Sequence, residues 1–224
     1  DCACMDKTTE RQIKRINELS ALARTSWIGL LAYLAFVFVT LLGVEDADFF
    51  VPSRQTQLPL VNVSIPTASF VVFAPILAAS LYVYLHLFLI KLWDAIAEAP
   101  ATIRTDPERN ERIPLSEAIH PWLVNDLATV MRGNDARPDP ERPLRWLSTF
   151  VTWLLVWFAG PAVLLLCWWR SMPAHNEWLS LLIALCLFLA TIAGFTSWYR
   201  AYEKLRGTPR FAWLRRWRLL TVFP

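Results

Sequence analysis

Residues 25–93 read TSWIGLLAYLAFVFVTLLGV (25–44), EDADFFVPSRQTQLPLVNVSIPT (45–67) and ASFVVFAPILAASLYVYLHLFLIKLW (68–93). The first and third pieces run for about 20 residues or more with almost no charge, the length at which a helix rising 1.5 Å per residue covers a hydrocarbon core of roughly 30 Å. Lipid offers no partner for backbone N–H and C=O groups, so such a span has to be a helix that bonds to itself. The stretch predicts a membrane hairpin.

Two further apolar windows follow, at about Leu147–Trp169 and Trp178–Tyr199, separated by a short turn, Arg170 to Glu177. A connection this short makes the two helices antiparallel neighbours. The 18% of charged residues lies almost wholly outside the four windows, whereas a soluble helix carries charge along one face throughout its length. The predicted fold is therefore all-α, a polytopic membrane protein with four transmembrane helices and short amphipathic cytoplasmic helices.

Lys and Arg set its orientation. The lead 1–24 holds 5 of the 22, the segment from Lys91 to Arg145 holds 8, and the tail from Arg200 holds 7, against Arg54 and Arg170 in the other two connections. By the positive-inside rule both termini and the middle segment are cytoplasmic. Trp27, Trp93, Trp146 and Trp198 then mark one interface, and Trp168, Trp169 and Trp178 the other. The same distribution argues against nucleic acid, because the basic residues flank spans and form no separate basic domain.

The organisation expected is a cytoplasmic amphipathic lead (1–24), a first hairpin (25–93) with an ordered outer loop (45–67), a cytoplasmic linker (94–146), a second hairpin (147–199) and a basic cytoplasmic tail (200–224). In the lead, Ile13, Ile16, Leu19 and Leu22 recur at helical spacing, which places a helix at the membrane interface. In the linker, residues 121–132 form an amphipathic helix that Gly133 stops. The tetrapeptide DPER occurs at 106–109 and at 139–142, where aspartate followed by proline signals a helix start.

The first hairpin, particularly LLGVEDADFFVPSRQTQLPLVNVSIPTASF followed by APILAASLYVYLHLFLIKLW, resembles the N-terminal membrane region of bacterial pentapeptide-repeat proteins. The resemblance implies a bacterial inner-membrane protein whose membrane region brings no catalytic residues. The chain departs from the family in its repeats, since the pentad NDLAT (125–129) stands alone. The ending RRWRLLTVFP reads as the start of a further span, which fits either a fragment or a repeat-free relative.

Few residues stand out as sites. His86 lies inside a span, where an ionisable side chain is a functional candidate by default; it could ligate a cofactor or shuttle protons, or simply bond to a neighbouring helix. Haem would want a second intramembrane histidine, and His120 and His175 fall outside the spans. Glu45, Asp46 and Asp48 could attract a divalent cation but lack the spacing of a calcium loop. Cys2 and Cys4 form a C-x-C without further ligands, so neither metal nor cofactor is expected. Ala74, Ala78, Ala79 and Ser80 are small enough to admit another helix closely. Arg210, Arg215, Arg216 and Arg218 suit anionic headgroups.

Nucleophile–base pairs, phosphate loops and zinc motifs do not occur, so an enzyme is not expected. The function expected is a non-catalytic anchor or accessory subunit whose partners are membrane lipids and other membrane proteins or further copies of itself. A homo-oligomeric channel or membrane-perturbing effector is the alternative from another class. An electron-transfer or photosynthetic subunit using His86 is the third.

Overall fold

A computed structural model of the chain describes residues 2–43, 55–57, 64–106, 111–133 and 142–206. Among them run seven α-helices: α1 (Cys2–Gly43), α2 (Thr67–Glu98), α3 (Leu115–Ala118), α4 (Leu123–Arg132), α5 (Arg142–Trp157), α6 (Ala159–Ser171) and α7 (Glu177–Arg206). Two short antiparallel pairs accompany them, β1 (Gln55–Gln57) with β2 (Ser64–Pro66), and β3 (Thr102–Asp106) with β4 (Glu111–Pro114).

Three helices, α1, α2 and α7, are long and apolar enough to cross a membrane. α5 and α6 reach that test only together, as a pair bent by 46° at Phe158, and they supply a fourth crossing if counted as one span. Half of the apolar window of α2 is buried against protein, compared with 33% for α1 and 22% for α7. α2 is therefore the hub, and α1, α6 and α7 pack around it with their outward faces left for lipid. Pro75 sits within α2 without ending it, and the Tyr33 hydroxyl of α1 donates to the Ala74 carbonyl beside it, at 3.2 Å.

The lead departs from the expected surface helix. It continues without interruption into the first span, so that α1 is one helix of 42 residues, about 63 Å long. Ile16, Ser20, Ala23, Trp27 and Leu30 are buried along one stripe, while Leu22, expected in that stripe, is exposed. An apolar stripe does not distinguish lipid from protein, and here it is covered by the segment expected to be a linker.

That segment is a folded cap. β3 and β4 pair with Ile103 opposite Ile113, α3 follows directly, and α4 packs against α5 and α7 while reaching α1 and the end of α2 through side chains. Ile103, Leu115, Ile119, Trp122, Val124, Leu127 and Ala128 join the same hydrophobic core as α1 and α2. α4 begins two residues later than expected because Trp122 is extended (φ −150°), and it ends at Gly133, whose φ of 72° favours glycine. The first DPER does not open a helix: Asp106 ends β3 and pairs with Glu111, so the gap of four residues joins two strands. Of the second DPER only Arg142, the first residue of α5, lies within the described residues.

Polar bonds fasten the cap. The Ser20 hydroxyl and the Asn125 amide exchange hydrogen bonds at 3.1 and 3.0 Å across the α1–α4 contact, and Asn125 also donates to the His120 carbonyl at 3.0 Å. The Asn17 side chain accepts from the His120 backbone N–H, Arg24 lies 3.2 Å from the His120 ring, and Trp27 meets Trp122 edge-on. Asn125→Leu keeps the branched outline of the side chain but strands the buried Ser20 hydroxyl and the part-buried His120 carbonyl, so it is expected to destabilise by about 1.5 kcal/mol. Denaturant unfolding in mild detergent checks this, and Ser20→Ala combined with Asn125→Leu should cost less than the sum of the two.

Candidate functional site at the helix break

The break between α5 and α6 follows from one missing donor. Pro161 has no N–H, so the carbonyl four residues earlier, that of Trp157, loses its helical partner. The Tyr82 hydroxyl of α2 donates to that carbonyl at 2.8 Å, which satisfies it across the helix–helix contact. The contact is buried away from water, so this bond is what lets the bend persist.

Tyr82 fits there because two glycines make way for it. A Cβ built on Gly160 would lie 2.2 Å from Tyr82 Cδ2, and one on Gly194 of α7 would lie 2.7 Å from its hydroxyl oxygen. Both distances are far inside van der Waals contact, so any larger residue at either position collides with the ring. The tyrosine is thus clamped between α6 and α7 and is fully buried.

His86 lies one turn further along α2. Its ring centroid is 4.3 Å from that of Tyr82 and 6.5 Å from that of Trp157, and it is 1% exposed. Among the described residues neither ring nitrogen has a partner in good hydrogen-bond geometry, the Val156 backbone being the polar group beside the ring, and the indole N–H of Trp157 has no partner either. Trp157 stacks on Trp93 at 6.5 Å, and Trp93 donates to the buried Ser197 hydroxyl at 3.3 Å. The interior of the bundle therefore holds an aromatic column, Tyr82–His86–Trp157–Trp93, with unused polar atoms midway along it.

On the lipid side of this column an apolar groove of about 260 Å³ opens between α5 and α7. Trp153, Trp157 and Phe158 form one wall; Gly194, Phe195 and Trp198 form the other. At the end of α2, Asp94 faces Arg200 at 4.0 Å and Lys204 at 3.8 Å, so one carboxylate meets two cations.

The other anticipated residues fall elsewhere. Ala74, Ala78 and Ala79 are buried in helix contacts. Ser80 does not share their face: it is exposed, and its hydroxyl donates back to the Ile76 carbonyl at 2.8 Å. One position beyond Ala79 is a rotation of about 100°, enough to leave the packing stripe. Glu45, Asp46 and Asp48, and the tail residues Arg210, Arg215, Arg216 and Arg218, lie outside the described residues. Cys167 and Cys186 are free and buried. Among the described residues no three His, Cys, Asp or Glu side chains gather in a metal-binding group.

A second built feature is Arg132, at the last turn of α4. Its guanidinium donates to the Ile96 carbonyl at 2.8 Å and the Ala99 carbonyl at 2.7 Å, where α2 runs out. The last carbonyls of a helix lack internal partners and carry its negative end, so a cation is favoured there. Burial of the guanidinium lowers its pKa from the ordinary arginine value, the direction that desolvation imposes on a cation. Arg170 does the same at 3.3 Å for the Leu41 carbonyl, near the end of α1.

Tyr82, Gly160, Gly194, Asn125 and Arg132 were not anticipated as sites. Gly160–Pro161 interrupts the apolar window at 147–169, but nothing in a single sequence pairs it with a tyrosine almost 80 positions away. No family model, curated protein or solved structure matches the chain.

Proposed function

We propose that the chain is a non-catalytic anchor and accessory subunit of the bacterial inner membrane, crossing it four times with both termini and the cap on the cytoplasmic side. The observation that carries this reading is the rigid attachment of the cap. Ser20–Asn125, Arg132 with the end of α2, and the Trp27–Trp122 contact hold it directly on two membrane helices. A folded element tied to the bilayer in this way presents a fixed surface to other proteins, which a flexible linker does not do. The 20 of 22 basic residues that fall in segments 1–24, 91–145 and 200–224 support the orientation, and the resemblance of the first hairpin to the membrane region of pentapeptide-repeat proteins supports an anchoring role.

The test is purification from native membranes in mild detergent, followed by native mass spectrometry. Stoichiometric recovery with other membrane proteins is the expected result. Recovery as a closed homo-oligomer that passes ions in liposomes would replace this reading with a channel. A coloured preparation that bleaches on His86→Ala would replace it with a cofactor-binding subunit.

A further inference from the structure

α7 carries more than a packing face. From the groove beside the helix break, Phe195 meets Trp198 at 6.0 Å, Trp198 meets Tyr202 at 6.0 Å, and the Arg206 guanidinium lies over the Tyr202 ring at 5.3 Å. These positions fall at spacings of three and four, so they form one stripe along the helix. An apolar groove is thus continued by an aromatic ladder and closed by an exposed cation.

The dimensions fit one leaflet. Gly194 to Arg206 is twelve residues, about 18 Å of helix, close to half of a hydrocarbon core of roughly 30 Å plus the start of the headgroup layer. The charge fits as well. Arg200, Lys204 and Arg206 cluster at this end of α7, while Asp94 neutralises at most one of them and Glu203 is the other acid of that turn. The end of the stripe carries net positive charge where headgroups lie.

We infer that this groove and ladder bind one anionic phospholipid, with an acyl chain along Phe195 and Trp198 and its phosphate at Arg206. The site lies in the leaflet that adjoins the C-terminal end of α7. Aromatic walls order the chain, and the cation over Tyr202 selects the headgroup. A zwitterionic lipid of the same chains fits the groove but gains less from the cluster.

The test offers the delipidated full chain, in mild detergent, an equimolar mixture of phosphatidylglycerol and phosphatidylcholine with identical acyl chains. Native mass spectrometry then reads the first lipid retained. Phosphatidylglycerol is expected to be preferred about fivefold, the factor equivalent to about 1 kcal/mol for one basic residue near the surface. Arg206→Ala should retain a lipid and bring the ratio close to one. Thr191→Trp, at an exposed position of the same groove, should reduce retention of both lipids. Both substitutions are at exposed positions and leave the buried contacts of the fold intact. Equal retention of the two lipids by the native chain would overturn the inference, as would Arg206→Ala or Thr191→Trp behaving like the native chain.

Discussion

Gly160→Ala is expected to destabilise the protein by about 3 kcal/mol, a large effect for one methyl group. The added Cβ would sit 2.2 Å from Tyr82 Cδ2, so the ring has to move, and the ring cannot move without surrendering its bond to the Trp157 carbonyl. Overpacking costs about 1–3 kcal/mol and a stranded buried carbonyl a further 1 or more. Gly194 packs against the hydroxyl on the other side, and the space left to the ring is the groove that it lines. The measurement is reversible unfolding in detergent micelles. Its control is the same substitution in a Tyr82→Ala background, where the collision is gone and Gly160→Ala should cost less than about 1 kcal/mol. Equal costs in both backgrounds would show that the ring is not the cause.

Arg132→Ala is expected to free the cap while leaving the spans folded. Two charge-assisted bonds to the end of α2 are lost, and the partly exposed setting of the guanidinium discounts their combined worth to about 2 kcal/mol. Amide hydrogen exchange in α4 should then quicken by about thirtyfold, whereas exchange in α2 around Tyr82 should stay unchanged. Arg132→Lys should lie between the two, because a single ammonium does not span both carbonyls as the planar fork does. Faster exchange through α2 as well would mean that cap and spans unfold as one unit.

The apolar spans were legible because their cause is local: lipid forbids charge and unpaired backbone, and both prohibitions are written into consecutive residues. The cap was not, for the opposite reason. Its strands are four and five residues long and run into proline at Pro107 and Pro114, a pattern that reads as turns, and their pairing is supported by the core that Ile103 joins and by α3 packed against them. The stripe of the lead announced amphipathicity, yet the partner that covers it, protein in place of lipid, is a tertiary fact. The same holds at the helix break. Pro161 forecasts an orphaned carbonyl at Trp157, but only the packing of α2 against α6 and α7 delivers a hydroxyl to it. His86 stands out as an ionisable residue within a span, and Tyr82 lies four residues earlier on the same helix; that Trp157 is its other neighbour emerges only when the end of α5 comes alongside α2.

The unbroken course of α1 has a mechanical consequence. From Thr25 to Cys2 the helix projects about 35 Å past the start of its apolar run, so a tilt of ten degrees in the membrane half displaces the far end by about 6 Å. The cap is bonded to both α1 and α2, so neither helix leans alone without breaking Ser20–Asn125 or the Arg132 bonds. Bilayers of different thickness impose different tilts on their helices. The pair and its cap are thus tied to lean together, and the length of α1 sets how far its Cys2 end travels when they do.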